Sequence, residues 1–279
     1  MIIVESAGIS DVGKKRNQNE DSLFSDDNMG LYVVADGMGG HLAGEVASRL
    51  VVDTMRDSIK QYKENQEPDE QAYVDDSLST EANHLLSSIR LSNQVVHDAS
   101  LQDESFRGMG STVSAVFFTD KSFVLGNVGD SPIYLIRDGR IELLSVLHTV
   151  FAEQTARDPE YAELMGNEFK HVLTRAMGVD ESVQAHIFET SCCKNDILVI
   201  SSDGLSDKAS PEEILRVVRN TKSDRACQEL VDLANERGGD DNITAIILKV
   251  KTVKNAHRGC RSFLSSMFKK LGFSDSGAK

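Results

Sequence analysis

Short apolar runs divided by polar turns dominate the first forty residues. Ile2 to Ile9 predicts a strand, with a turn over Ser10-Asp11-Val12-Gly13. Residues 14–21, Lys-Lys-Arg-Asn-Gln-Asn-Glu-Asp, are too dense in charge to be buried without partners. Ser22 to Ser25 and Leu31 to Ala35 flank Asp26–Gly30, a hairpin pattern that would bring Glu20 and Asp21 close to Asp36. From His41 the period lengthens. Val46, Leu50, Val51, Met55, Ile59 and Tyr62 recur at three- and four-residue steps and mark one helix face. Residues 64–80 hold six acids, no bases and Pro68, which predicts a solvated loop before a second helix carrying Leu85, Leu86, Ile89 and Val96.

Strands are predicted next over 112–118, 122–127 and 133–136, and Asp138-Gly139 closes a two-residue hairpin into 141–144. Residues 149–170 lose the alternation and read as an irregular surface segment. Strands over 183–189 and 197–201 precede helices over 211–220, opened by Pro211, and 223–237. Ile243 to Val250 is the last strand, and its poor alternation fits burial on both faces. The predicted fold class is α+β: two stacked, mostly antiparallel β-sheets flanked by pairs of helices. Residues 1–252 would form that domain, and 253–279 a basic amphipathic tail.

Composition narrows the function. A net charge of −14 argues against a nucleic-acid partner, which needs a basic face to meet phosphates. No apolar run reaches the length of a membrane span, and no leader pattern opens the chain, so a cytoplasmic protein is expected. Cys192, Cys193, Cys227 and Cys260 show no C-x-x-C spacing and suggest neither a zinc site nor a disulfide framework.

The chemistry gathers at carboxylates. Leu31 to Ala35 is an apolar run ending in Asp36-Gly37, which taken alone reads as a strand followed by a tight turn. Ile197 to Ser202 followed by Asp203-Gly204 repeats the arrangement, and Gly238-Gly-Asp-Asp241-Asn242 places acids before the last strand. If these strands are neighbours, Asp36, Asp203 and Asp241 converge, with Glu20 and Asp21 approaching from the hairpin. Converging carboxylates repel unless cations lie between them. All-oxygen donors suit Mg²⁺ or Mn²⁺, not zinc.

Seven motifs run in order: Arg16-x3-Glu20-Asp21, Asp36-Gly-Met-Gly-Gly-His41, Gly108-Met-Gly-Ser-Thr112, Gly126-Asn-Val-Gly-Asp-Ser131, Leu173-Thr-Arg-Ala-Met-Gly178, Ser202-Asp-Gly-Leu205 and Gly239-Asp-Asp-Asn242. Over residues 6–251 the chain resembles the metal-dependent protein Ser/Thr phosphatases, the PPM or type 2C family, in a bacterial form. The resemblance implies hydrolysis of phosphoserine and phosphothreonine by a water bridging two Mn²⁺ or Mg²⁺ ions. It implies Asp36 bridging both ions, Asp203 and Asp241 on one, and Glu20 with the Gly37 carbonyl on the other. Asp21 would hold a metal-bound water, Arg16 the phosphate, and His41 would protonate the leaving alkoxide. The implied partners are a phosphorylated protein substrate and an opposing Ser/Thr kinase, with the chain a monomer. A non-catalytic scaffold and a small-phosphoester phosphatase are the competing readings.

Two features depart from the family pattern. Ser145-Val-Leu147-His148-Thr149 has Leu147 where relatives carry an acid that, with the counterpart of Asp207, binds a weak third metal. A weak or absent third site is therefore expected. From Lys251 onward the chain has seven Lys or Arg and a single acid, Asp275. Phe263, Leu264, Met267, Phe268 and Leu271 share a helical face there, so contact with a membrane or an acidic partner competes with simple docking on the domain.

Overall fold

The computed structural model describes residues 2–39, 43–65 and 75–253. His41 and the tail from residue 254 lie outside the described residues. The chain opens with strands β1 (Ile2–Asp11), β2 (Asp21–Asp26) and β3 (Leu31–Met38), then helices α1 (Ala43–Asn65) and α2 (Thr80–Gln102). The two-residue strand β4 (Gly110–Ser111) leads into β5 (Val113–Phe118), β6 (Ser122–Val128), β7 (Ile133–Arg137) and β8 (Arg140–Leu143). Short helices α3 (Val150–Arg157) and α4 (Pro159–Ala162) precede β9 (His186–Ser191) and β10 (Ile197–Ser201). Helices α5 (Asp203–Ser206), α6 (Pro211–Asn220) and α7 (Ser223–Glu236) then lead to β11 (Ile243–Val253).

One sheet has the order β1-β11-β10-β7-β8 and the other β2-β3-β5-β6-β9, with β4 paired to β3. Every pairing is antiparallel. Side chains alternate across each strand, so each strand serves two cores. In β3, Leu31, Val33 and Ala35 pack with α1 and α2, while Tyr32 and Val34 face the second sheet. In β11, Ile243, Ala245 and Ile247 pack with α6 and α7, while Ile246, Leu248 and Val250 face inward. Burial on both faces is why these strands read as continuous apolar runs. The predicted α+β sandwich is the fold observed, with one helix pair outside each sheet.

Two expectations change. Residues 149–170 are not irregular, because caps rather than apolar periodicity carry their helices. Thr149 Oγ1 accepts from the Ala152 N–H, and Asp158, before Pro159, accepts from Tyr161, while no residue of α3 is buried. A single 3₁₀ turn follows at Asn167–Lys170. Strand β9 begins at His186 rather than at 183, because the Asp180 and Glu181 carbonyls are taken by Asn93 Nδ2 of α2 at 3.0 and 3.1 Å. Among the cysteines, Cys192 and Cys227 are buried free thiols. None of the described helices is long and apolar enough to cross a membrane.

Candidate active site

The site is the open end of the core between the sheets. Continuing the inward face of β3 beyond Tyr32 and Val34 places Asp36 there, and the inward face of β2 runs from Leu23 back to Asp21. Asp21 and Asp36 are directly paired in register. From the other sheet the matching inward positions are Ser202, beyond Leu198 and Ile200, and Thr244, before Ile246 and Leu248. An apolar sandwich core thus ends in a polar floor.

The Asp36-Gly37 step is not a turn, because β3 runs through it to Met38. Glycine is required by close approach. A Cβ on Gly37 would lie 2.0 Å from the Gly44 carbonyl oxygen and 2.6 Å from that of Glu20. Gly204 is alike: it lies within α5, and its Cβ would lie 2.0 Å from the Asn242 carbonyl oxygen. In both places the missing side chain lets backbone from another element press against the residue after the key aspartate. The Asp36 backbone is fixed on both sides. Its N–H donates to Thr112 Oγ1 at 3.0 Å, and its carbonyl accepts from the Thr112 N–H at 2.8 Å and Ser111 Oγ at 3.0 Å.

A cavity of about 520 Å³ opens over this floor, and Arg16, Glu20, Asp36, Gly37, Asp203 and Asp241 all line it. The structure therefore brings together six residues singled out from sequence. Asp21 lies behind them, its Oδ2 accepting from Ser202 Oγ at 2.8 Å. Asp207 sits one helical turn beyond Asp203, its N–H donating to the Asp203 carbonyl at 2.8 Å. Arg16 Nη2 is 2.8 Å from Asp241 Oδ2. The position of His41 is outside the described residues.

Burial and mutual repulsion set the electrostatics. Desolvation first, then Asp21 and Asp203, holds the Asp36 carboxyl well above the usual range. Burial pushes Asp21 up to about 7 despite its hydrogen bonds to Thr244 and Ser202. Glu20 and Asp207 are raised by burial as well. Asp21 Oδ1 and Asp203 Oδ1 are buried with no hydrogen-bond partner. Buried acceptors normally find a donor, so a cluster of acids with unmet oxygens is a cluster built for cations. The all-oxygen donor set fits Mn²⁺ or Mg²⁺.

Several further residues emerge only in three dimensions. Asn242 Oδ1 accepts from the Glu20 N–H at 2.8 Å, while its Nδ2 donates to the Val12 and Gln18 carbonyls, each at 2.9 Å. One amide side chain thereby fixes the segment that delivers Arg16 and Glu20. An Asn after two acids was visible in the sequence, but its reach to residues 12–20 was not. Asp130 also lines the cavity, and burial raises its carboxyl to about 7. His171, Thr174 and Arg175 line the cavity too, with His171 Nδ1 3.5 Å from Asp207 Oδ2 and 3.9 Å from Asp203 Oδ2.

Comparison with known proteins agrees with this geometry. The family model described as Protein phosphatase 2C matches residues 13–247. The serine/threonine phosphatase stp of Listeria monocytogenes is 31% identical over 249 residues, covering 86% of this chain and 93% of the relative. The protein phosphatase PhpP of Streptococcus pneumoniae is 30% identical over 263 residues, covering 88% and 98%. Among solved structures, the Mycobacterium tuberculosis serine/threonine phosphatase PstP/Ppp superposes with a TM-score of 0.78 at 27% identity, covering 90% of this chain and all of that one. The catalytic domain of PstP in complex with two manganese ions gives a TM-score of 0.76 at 28% identity, over 90% of this chain and all of that domain. With its motifs, its sandwich and its carboxylate floor all in accord, the chain belongs to the protein phosphatase 2C family.

Proposed function

We propose that the chain removes phosphate from phosphoserine and phosphothreonine in proteins, at a centre of two Mn²⁺ or Mg²⁺ ions. The observation that carries this reading is the pair of buried, partnerless oxygens, Asp21 Oδ1 and Asp203 Oδ1, in a floor of acids with raised pKa values. Asp36, Asp203, Asp241, Glu20 and the Gly37 carbonyl would hold the ions, with Asp21 one water further back. When bound, two such ions supply charge neutralisation and a water acidic enough to act as a nucleophile at neutral pH.

The remaining work belongs to side chains. Arg16 is half-exposed at the cavity edge, where its planar fork suits two phosphate oxygens better than a lysine would. Its bond to Asp241 holds the guanidinium beside the floor before substrate arrives. Asn242 keeps Glu20 in line through the backbone N–H, and Thr112 keeps Asp36 in place. His41, five residues after Asp36, is assigned to protonation of the leaving alkoxide on the family resemblance. The wall of His171, Thr174 and Arg175, together with the segment 149–170, would contact residues flanking the phosphosite. A cytoplasmic monomer opposing a Ser/Thr kinase completes the reading.

The test is hydrolysis of p-nitrophenyl phosphate and of a phosphothreonine peptide with Mn²⁺, with chelator and Asp36→Asn as controls. Metal-dependent turnover of both supports the proposal. Turnover of the small ester alone would favour a small-phosphoester phosphatase, and no turnover a non-catalytic scaffold.

A further inference from the structure

Asp21 is held by more than the floor it belongs to. Its N–H donates to Asn19 Oδ1 at 3.1 Å, and Asn19 Nδ2 donates to Ser10 Oγ at 2.7 Å. Ser10 Oγ lies 2.7 Å from Thr244 Oγ1. The Thr244 N–H donates to Ser202 Oγ at 3.0 Å, and Ser202 Oγ donates to Asp21 Oδ2 at 2.8 Å, which closes a ring. Ser10 of β1 and Thr244 of β11 are direct cross-strand partners, and the Thr244 carbonyl accepts from the Ser202 N–H at 3.0 Å. Ser10, Thr244 and Ser202 are therefore fixed to one sheet, while Asp21 joins them from β2 of the other.

Packing alone does not call for this ring. Ser202 and Thr244 are fully buried at inward positions whose neighbours along the same face, Ile200 and Ile246, are apolar. Buried hydroxyls cost stability unless they are bonded, and here the bonds lead to one carboxylate. The Asn19 amide sets their sense. Its nitrogen can only donate, so the Ser10 proton is free to point to Thr244 and the Thr244 proton to Asp21. Burial raises the Asp21 carboxyl to about 7, and the Thr244 and Ser202 hydroxyls act against that rise. Hydrogen bonds to a charged acceptor are roughly twice as strong as neutral ones, so they hold the carboxylate in one orientation. Oδ2 is tied to Ser202, whereas Oδ1 is buried without a partner.

We propose that Ser10, Asn19, Ser202 and Thr244 are positioning residues that orient Asp21 and so set how tightly the floor binds its cations. None of the four is among the ligands assigned above. With Oδ2 tied back, Oδ1 is the atom of Asp21 left to accept from the intervening water. Four polar residues on separate segments thus act through a single carboxylate. The inference rests on Asp21 serving a dinuclear centre as proposed above.

The experiment measures Mn²⁺ binding to the full chain by calorimetry for wild type, Thr244→Val, Thr244→Ser, Ser10→Ala and the double variant Ser10→Ala/Thr244→Val. Thermal melts confirm that each variant folds. Thr244→Val and Ser10→Ala should each weaken Mn²⁺ binding by about 10–100-fold, while Thr244→Ser, which keeps the hydroxyl, should bind like the wild type. Both substitutions open one ring, so the double variant should lose no more than the weaker-binding single variant, as coupled sites do. In an Asp21→Ala background, Thr244→Val should lower the affinity no further. Should Thr244→Val not fold, Ser10→Ala, at a half-buried position, carries the test. Wild-type Mn²⁺ affinity in the folded variants would overturn the proposal, as would a Thr244→Val loss that persists undiminished without Asp21. A wild type that binds no tight Mn²⁺ pair would overturn the dinuclear reading and this inference with it, a failure distinct from tight binding that ignores the ring.

Discussion

Asp21 of β2 and Asp36 of β3 are direct cross-strand partners, two acids placed in register where the inter-sheet core ends. Like charges directly opposite destabilise a sheet, so the pairing costs folding stability unless a cation or a proton intervenes. The consequence is a stability that depends on pH and metal in a defined direction. Burial lifts Asp21 and Asp130 to about 7 from an ordinary value of 3.8, and Asp36 is raised in the same sense. Between those limits the folded, metal-free chain binds more protons than the unfolded one, so its stability falls as pH rises. Melting temperatures of the metal-free protein should therefore drop by several degrees between pH 5 and pH 8, and Mn²⁺ should reverse the drop. A metal-free melting temperature that rises across this window would contradict the account.

Asp36→Asn should separate stability from function. The amide removes one of the repelling charges, so the metal-free variant is expected to melt higher than the metal-free wild type at pH 8. Phosphatase turnover should fall by at least about 10²-fold, the usual scale for losing one charge-stabilising group. Paired melts and rates on the same preparation decide it.

Asn242→Ala should weaken metal binding without removing a ligand. Three hydrogen bonds, to the backbone of residues 12, 18 and 20, are lost together. An expected loss of about 10–100-fold in Mn²⁺ affinity matches what loss of ligand-orienting partners costs elsewhere. Calorimetric titration of the variant with Mn²⁺ reads the change directly.

Far from the floor, Arg137 and Asp196 form a buried pair, 7% and 1% exposed, with nitrogen–oxygen separation of 2.7 Å. Asp196 also accepts from the Cys193 N–H at 2.7 Å. Arg137→Met would strand the carboxylate, at a cost of about 3–5 kcal/mol. Denaturant unfolding should show that loss while Mn²⁺ affinity stays at the wild-type value.

The sequence showed most clearly what depends on apolar period and on repeated short motifs. Val51, Met55 and Ile59 of α1 and the twin-faced runs of β3 and β11 are all buried where the pattern put them. Asp36 within β3, Asp203 just after β10 and Asp241 just before β11 converge on one cavity. The helices of 149–170 leave no periodic signal in the sequence because Thr149 and Asp158 cap segments with little apolar surface to bury. Gly37 and Gly204 look in sequence like turn glycines, whereas close backbone approach explains them, and sequence does not distinguish the two uses. Asn242, Asp130 and His171 act on partners at least 32 residues away, a distance that no local spacing encodes.

The most direct test strips the protein with chelator, then restores Mn²⁺ stepwise while measuring bound ion and phosphate released from a phosphothreonine peptide. Turnover should be absent in chelator, should return as the second tightly bound ion fills the floor, and should stay absent in Asp36→Asn at every Mn²⁺ concentration. Hydrolysis that survives chelation, or that Asp36→Asn retains, would contradict a dinuclear centre built on Asp36.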